Sequence, residues 1–158
     1  MADCFLTKRG QSKNIEYGEN IFDFENFKSV LSSIESAGYQ AVINGTIKWI
    51  DNGFTITATA DDCYTNVAPS VGTPPLISVE ESTFYELSYD VNGDSGKNYV
   101  FFDYPINVPR IVLVYNQVDR IIFPTLQDTT KIVLRFGVDN KGNICTFKNI
   151  KLRKILNM

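Results

Sequence analysis

The sequence predicts an all-β protein, a jelly-roll β-sandwich of about eight to nine short strands with one short N-terminal helix. Two observations carry that expectation. From about residue 45 onward apolar and polar residues alternate with a period of two, the period of a strand with one buried face. The alternating runs are separated by turn clusters, among them Asp51-Asn52-Gly53, Asn92-Gly93-Asp94-Ser95-Gly96 and Asp139-Asn140-Lys141-Gly142-Asn143.

The elements follow in order. Residues 1–22 are polar, carry Gly10 and Gly18 and show little periodicity. They read as an arm or linker, with the sandwich domain spanning 23–158. A helix is expected over about 24–37, because Phe27, Val30, Leu31 and Ile34 share one helical face. Asp23 suits its N-cap and Gly38 its stop. Ile47 and Trp49 then alternate with Lys48, and Phe54, Ile56 and Ala58 with Thr55, Thr57 and Thr59. The Asn52-Gly53 pair between them makes this a hairpin, since both residues tolerate positive φ. Residues 61–83 read as a long connection with Pro69, Gly72, Pro74 and Pro75. Strands resume with Tyr85, Leu87, Tyr89 and Val91 against Glu86, Ser88 and Asp90. Further strands are expected near 98–103, 110–116, 119–123, 130–138 and 144–153.

Bulk properties bound the function. With 158 residues and 44% apolar content, one domain can build a core without disulfides or metal. The net charge of −3 and pI near 4.9 argue against nucleic-acid binding, which wants a basic face. Cys4, Cys63 and Cys145 are an odd, scattered set, expected as reduced thiols of a chain made in a cytoplasm. The opening residues lack the apolar core of a signal peptide, and membrane insertion is not expected.

Three blocks carry a resemblance. They are Asn52-Gly53-Phe54-Thr55-Ile56-Thr57-Ala58-Thr59 with Asp61-Asp62-Cys63-Tyr64-Thr65; Phe84-Tyr85-Glu86-Leu87-Ser88-Tyr89-Asp90-Val91; and Ile132-Val133-Leu134-Arg135-Phe136 with Gly142 and Phe147-Lys148-Asn149-Ile150-Lys151-Leu152. Together, over residues 42–153, they resemble the jelly-roll carbohydrate-binding modules that accompany glycosidases. That resemblance implies glycan binding without catalysis. The family often holds a structural calcium near its last strand, with an Asp where this chain has Lys148. An ammonium cannot ligate calcium, so no metal and no cofactor are expected. Separately, Cys4-Phe5-Leu6-Thr7-Lys8-Arg9-Gly10 resembles the start of small phage tail and prophage proteins. That implies a virion protein, made in a host cytoplasm and released by lysis.

The residues themselves constrain the chemistry. Histidine is absent, which removes Ser-His-Asp and Cys-His catalysis. Paired carboxylates remain open for glycoside hydrolysis, but Asp61, Asp62, Asp90, Asp94 and Asp103 equally suit turns and strand ends. No catalytic residue is assigned, and the protein is not expected to be an enzyme. Sugar binding wants aromatic faces beside polar side chains. Tyr64, with Asp61 and Asp62 in one loop, is the leading candidate, followed by Tyr104 and Tyr99; packing explains each tyrosine as well. Trp49 shares a face with Ile47 and is expected in the core. In the arm, Phe5, Leu6, Lys8, Arg9 and Tyr17 suit ordering against a neighbouring subunit. The function expected is thus a structural or adsorption component of a phage or prophage particle. It would associate with itself and with other particle proteins, and could adhere to a host surface glycan. A stand-alone glycan-binding protein is the alternative, and a glycoside hydrolase a lesser one. The basic end formed by Lys148, Lys151, Arg153 and Lys154 reads either as a docking site or as a solvated edge.

Overall fold

A computed structural model describes residues 5–6, 14–66, 75–93, 98–104, 113–114 and 120–157, with the first, fourth and fifth of these described by their backbone. In chain order the elements are β1 (Phe5–Leu6), β2 (Glu16–Asn20), α1 (Phe24–Ser36), β3 (Val42–Ile43), β4 (Gly45–Ile50), β5 (Gly53–Ala58) and β6 (Cys63–Thr65). They continue as β7 (Ile77–Ser78), β8 (Phe84–Gly93), β9 (Asn98–Tyr104), β10 (Leu113–Val114), β11 (Arg120–Pro124), β12 (Lys131–Val138) and β13 (Ile144–Asn157). Two antiparallel sheets result. The larger runs β1-β11-β8-β13-β5-β4, with β2 added beside β13; the smaller runs β10-β9-β12-β6-β3, with β7 added beside β12.

The all-β sandwich with one helix is therefore as expected. The strands that alternation did not reveal are β1, β2, β3, β6 and β7. Each is five residues or shorter, and a run that short shows too few alternations to be read. The expected turn over 92–96 and the expected strand over 110–116 lie partly outside the described residues.

Inward residues of both sheets meet in an aromatic core. Phe136 of β12 lies 5.5 Å from Phe54 of β5 and 5.4 Å from Phe147 of β13, ring centroid to centroid. The helix closes on the same cluster. Its N-cap is Asp23, whose carboxylate accepts the Asn26 amide at 3.0 Å, and Gly38 at φ +91° lies just past its end. Phe27, Leu31 and Ile34 are buried, and the Phe27 ring sits 5.6 Å from Phe54 and 5.7 Å from Phe136. Trp49 packs edge-on against Phe27 and Phe54, a partly buried residue at the margin of the core it was expected to join. Among the described residues no helix is long and apolar enough to cross a membrane.

The segment 1–22 differs from the arm expected. Phe5 and Leu6 pair with Ile122 and Ile121, and β2 pairs with the end of β13 at Arg153, Ile155 and Asn157. Phe22 is buried in the core. Composition made this stretch look freestanding. Its strands are short, and their partners lie more than a hundred residues away, so local sequence does not display the pairing. Lys8 and Arg9 lie outside the described residues.

Candidate functional site

Strand β8 turns Tyr85, Leu87 and Tyr89 inward, which leaves Glu86, Ser88 and Asp90 on the outer face of the larger sheet. The ladder then decides what stands beside them. Arg153 is opposite Glu86, Lys151 and Arg120 flank Ser88, and Lys148 is opposite Asp90. Cross-strand partners share a face, so this outer face is a lattice of alternating acids and bases.

The lattice is hollowed where β13 changes partner. On one side β13 pairs with β5 up to Lys148 and with β2 from Arg153, and its register with β8 shifts between Lys148 and Lys151. Asparagines bridge the interruption. Asn20 Oδ1 accepts the Leu152 amide at 2.9 Å and the Phe22 amide at 3.0 Å. The Asn149 amide donates to the Asn52 carbonyl at 3.1 Å, with Asn149 itself at φ +53°. A β-bulge of this kind re-aims side chains and opens a sheet face. Here it leaves a groove of about 560 Å³ whose lining includes Asn20, Phe24, Asn52, Glu86, Ser88 and Arg120.

Glu86 anchors the groove. It is only 2% exposed although it faces outward. Arg153 Nη2 donates to it at 3.0 Å, Arg120 Nε lies 3.7 Å away, and the Tyr17 hydroxyl donates to its Oε2. The Arg153 guanidinium also lies 3.9 Å from the centre of the Tyr17 ring, so one aromatic residue holds both members of the ion pair. Asp90 accepts from Asn149 Nδ2 at 2.8 Å. A buried carboxylate with this many donors is held in one place, and so are the arginines around it.

The residues singled out in the sequence fall elsewhere. Asp61 and Asp62 shape the loop between β5 and β6. Asp61 Oδ1 accepts the Lys141 amide at 2.8 Å, Asn44 Nδ2 donates to both Asp61 and Asp62 carbonyls, and Asp62 takes φ +58°. Tyr64 is not in that loop. It is the middle residue of β6, paired with Gly137 and Ile43, with Arg135 5.3 Å from its ring centre. Long-range pairing on both sides of a three-residue strand converts an expected loop position into a sheet position. Tyr99 is also opposite Gly137 and Tyr104 is opposite Val133, so both belong to β9. The register thus sets Tyr64 and Tyr99 on either side of Gly137, on the smaller sheet. Of the arm residues with described side chains, Tyr17 touches two groove residues, Glu86 and Arg153, without lining the groove itself.

Glu86, Arg120 and Asn20 were missed. Part of the signal for Glu86 was present, since alternation put it outward; the two arginine-bearing strands beside it come from the ladder. Nothing local announced that those strands would be its neighbours.

These features define an all-β sandwich with a polar, ion-paired groove on one outer face. No protein-family model matches the chain, and no curated protein does. Among solved structures the chain is similar to the Glycosylation Associate Protein (Gap123) complex from Streptococcus agalactiae. The TM-score is 0.53 at 16% identity, with 92% of this chain and 46% of that chain covered. The chain therefore spans less than half of that neighbour's length, and the likeness is one of fold.

Proposed function

We propose that this protein is a non-catalytic recognition module that holds a glycan in the groove on the outer face of its larger sheet. The observation that carries the reading is the fixed Glu86–Arg153–Tyr17 cluster beneath a cavity lined by asparagines. Sugars are recognised by polar groups whose positions are set before binding, because ordering them at the moment of binding costs affinity. A hydrolase is the weaker reading. Both groove-lining carboxylates are engaged by neighbours, Glu86 by Tyr17, Arg153 and Arg120 and Asp90 Oδ2 by Asn149, which favours a structural over an acid–base role.

A second reading, a structural or adsorption component of a phage or prophage particle, is supported by the resemblance carried by Cys4–Gly10. It lost part of its support when β2 joined the protein's own sheet, because an arm so engaged has fewer free backbone groups to offer a neighbour. The two readings are compatible if the particle uses the groove to adhere to a host glycan.

A printed glycan array probed with the intact chain, followed by calorimetric titration, tests the first reading. Ser88 lies in the groove floor, and Ser88→Trp fills it. Retained glycans should lose binding at least tenfold in this variant while its melting temperature stays within a few degrees. Failure of every glycan to bind, or equal binding by the filled variant, overturns the proposal. Solution mass separates the settings: a monomer that binds sugar fits the stand-alone module, and a particle-sized assembly fits the virion.

A further inference from the structure

Resting on that reading of the groove, we infer that its ligand is an acidic saccharide, a sugar that carries a carboxylate or phosphate, held through Arg120 and Lys151. The charge count points there. The groove is lined by Arg120, Lys151 and Arg153 against Glu86 and Asp90, three cations to two anions, in a chain whose net charge is −3. The groove is therefore locally positive on an acidic protein.

The distribution of partners sharpens the point. Glu86 is committed to Arg153 at 3.0 Å. Among the described residues Arg120 meets it only through Nε at 3.7 Å, an ion-pair distance beyond hydrogen-bond reach, which leaves its guanidinium donors for a ligand. Lys151 is exposed at the rim, opposite Ser88, and has no ion pair or hydrogen bond among the described residues. Two cations with unspent donors, set on either side of one serine, form a cleft for a single anionic group. A guanidinium fork matches both carboxylate and phosphate oxygens. Ser88, Asn52 and Asn149 lie within the same lining and suit neighbouring hydroxyls. A nucleic acid fits this arrangement less well, because the cations of this face alternate with the acids Glu86 and Asp90 on a chain of net charge −3.

Calorimetric titration of the intact chain with four probes tests the inference: trigalacturonate, mannose 6-phosphate, neutral maltotriose and inorganic phosphate. At least one acidic sugar should bind tenfold or more tightly than maltotriose, and more tightly than inorganic phosphate. The stronger of the two acidic sugars identifies the anion. Lys151→Gln and Arg120→Gln should each weaken that binding about tenfold, and raising NaCl from about 50 to 500 mM should weaken it further. Lys151 is exposed, so its variant tests the inference even if the Arg120 variant folds poorly. Equal binding of maltotriose overturns the acidic ligand while sparing the glycan groove. Inorganic phosphate binding as tightly as the sugar phosphate overturns the saccharide. Absence of binding by all four overturns the acidic ligand, and the glycan array then decides separately whether the groove reading falls with it.

Discussion

Glu86 shows how far a single residue can depart from what its neighbours in sequence suggest. Period-two alternation places it outward with Ser88 and Asp90, and outward it is, yet it is nearly inaccessible because Tyr17, Arg120 and Arg153 close over it. Cys63 is the opposite case. It lies on the inward face of β6, fully buried against Gly45, and burial pushes its thiol from 9.0 up to about 11. The thiolate is disfavoured because the core cannot solvate it. The folded pKa lies above the unfolded one, so this site does not alter stability below about pH 9, where both states keep the proton. Between pH 9 and about 11 the unfolded chain ionises and the folded one does not, so stability falls as pH rises, by about 1.4 kcal/mol per unit. Urea unfolding at pH 8, 9.5 and 10.5 should show that fall, and Cys63→Ala should flatten it by the same amount. A slope identical in both proteins would show that the thiol is not the titrating group.

At the scale of elements, the N-terminal strands matter most. An arm that stands free can be removed without harm, but β2 supplies Tyr17 to Glu86, Asn20 to the bulge and, just beyond it, Phe22 to the core. Loss of a buried phenylalanine alone costs about 3–5 kcal/mol, against a total stability of roughly 5–15 kcal/mol for a typical domain. Deletion of residues 1–22 should therefore lower the melting temperature by about 10 °C or more, or leave the chain unfolded. Deletion of 1–13 removes β1, a two-residue strand at the sheet edge, and should shift it by only a few degrees. Calorimetry of both truncations decides the matter, and a stable 1–22 deletion would restore the freestanding arm. The helix was legible for the converse reason. Its apolar spacing, its Asp23 cap and its Gly38 stop all lie within sixteen consecutive residues, and each acts on its near neighbours.

At the scale of the whole molecule, the chain holds its sandwich together through an aromatic core. No group of three or more His, Cys, Asp or Glu that could hold a metal ion occurs among the described residues. Lys148, at the position where the carbohydrate-binding modules carry an acid, is exposed on β13. A metal bound to the native state would stabilise it by mass action. Addition of EDTA should then leave the melting temperature unchanged within about 1 °C, and a drop of many degrees would reveal a metal site. What the sequence by itself determined was the sandwich class, the helix and its caps, the hairpin at Asn52-Gly53, and the inward set Phe54, Ile56, Ala58, Tyr85 and Leu87. All of these follow from periodicity and turn chemistry, which are local. Tertiary structure alone decided that β2 would pair with β13, that Tyr64 would sit within a sheet, and that Glu86 would lie between two arginines. Those outcomes depend on which strand becomes whose neighbour. Strand pairing is set by burial summed over the whole sheet, a quantity that no short stretch of sequence contains.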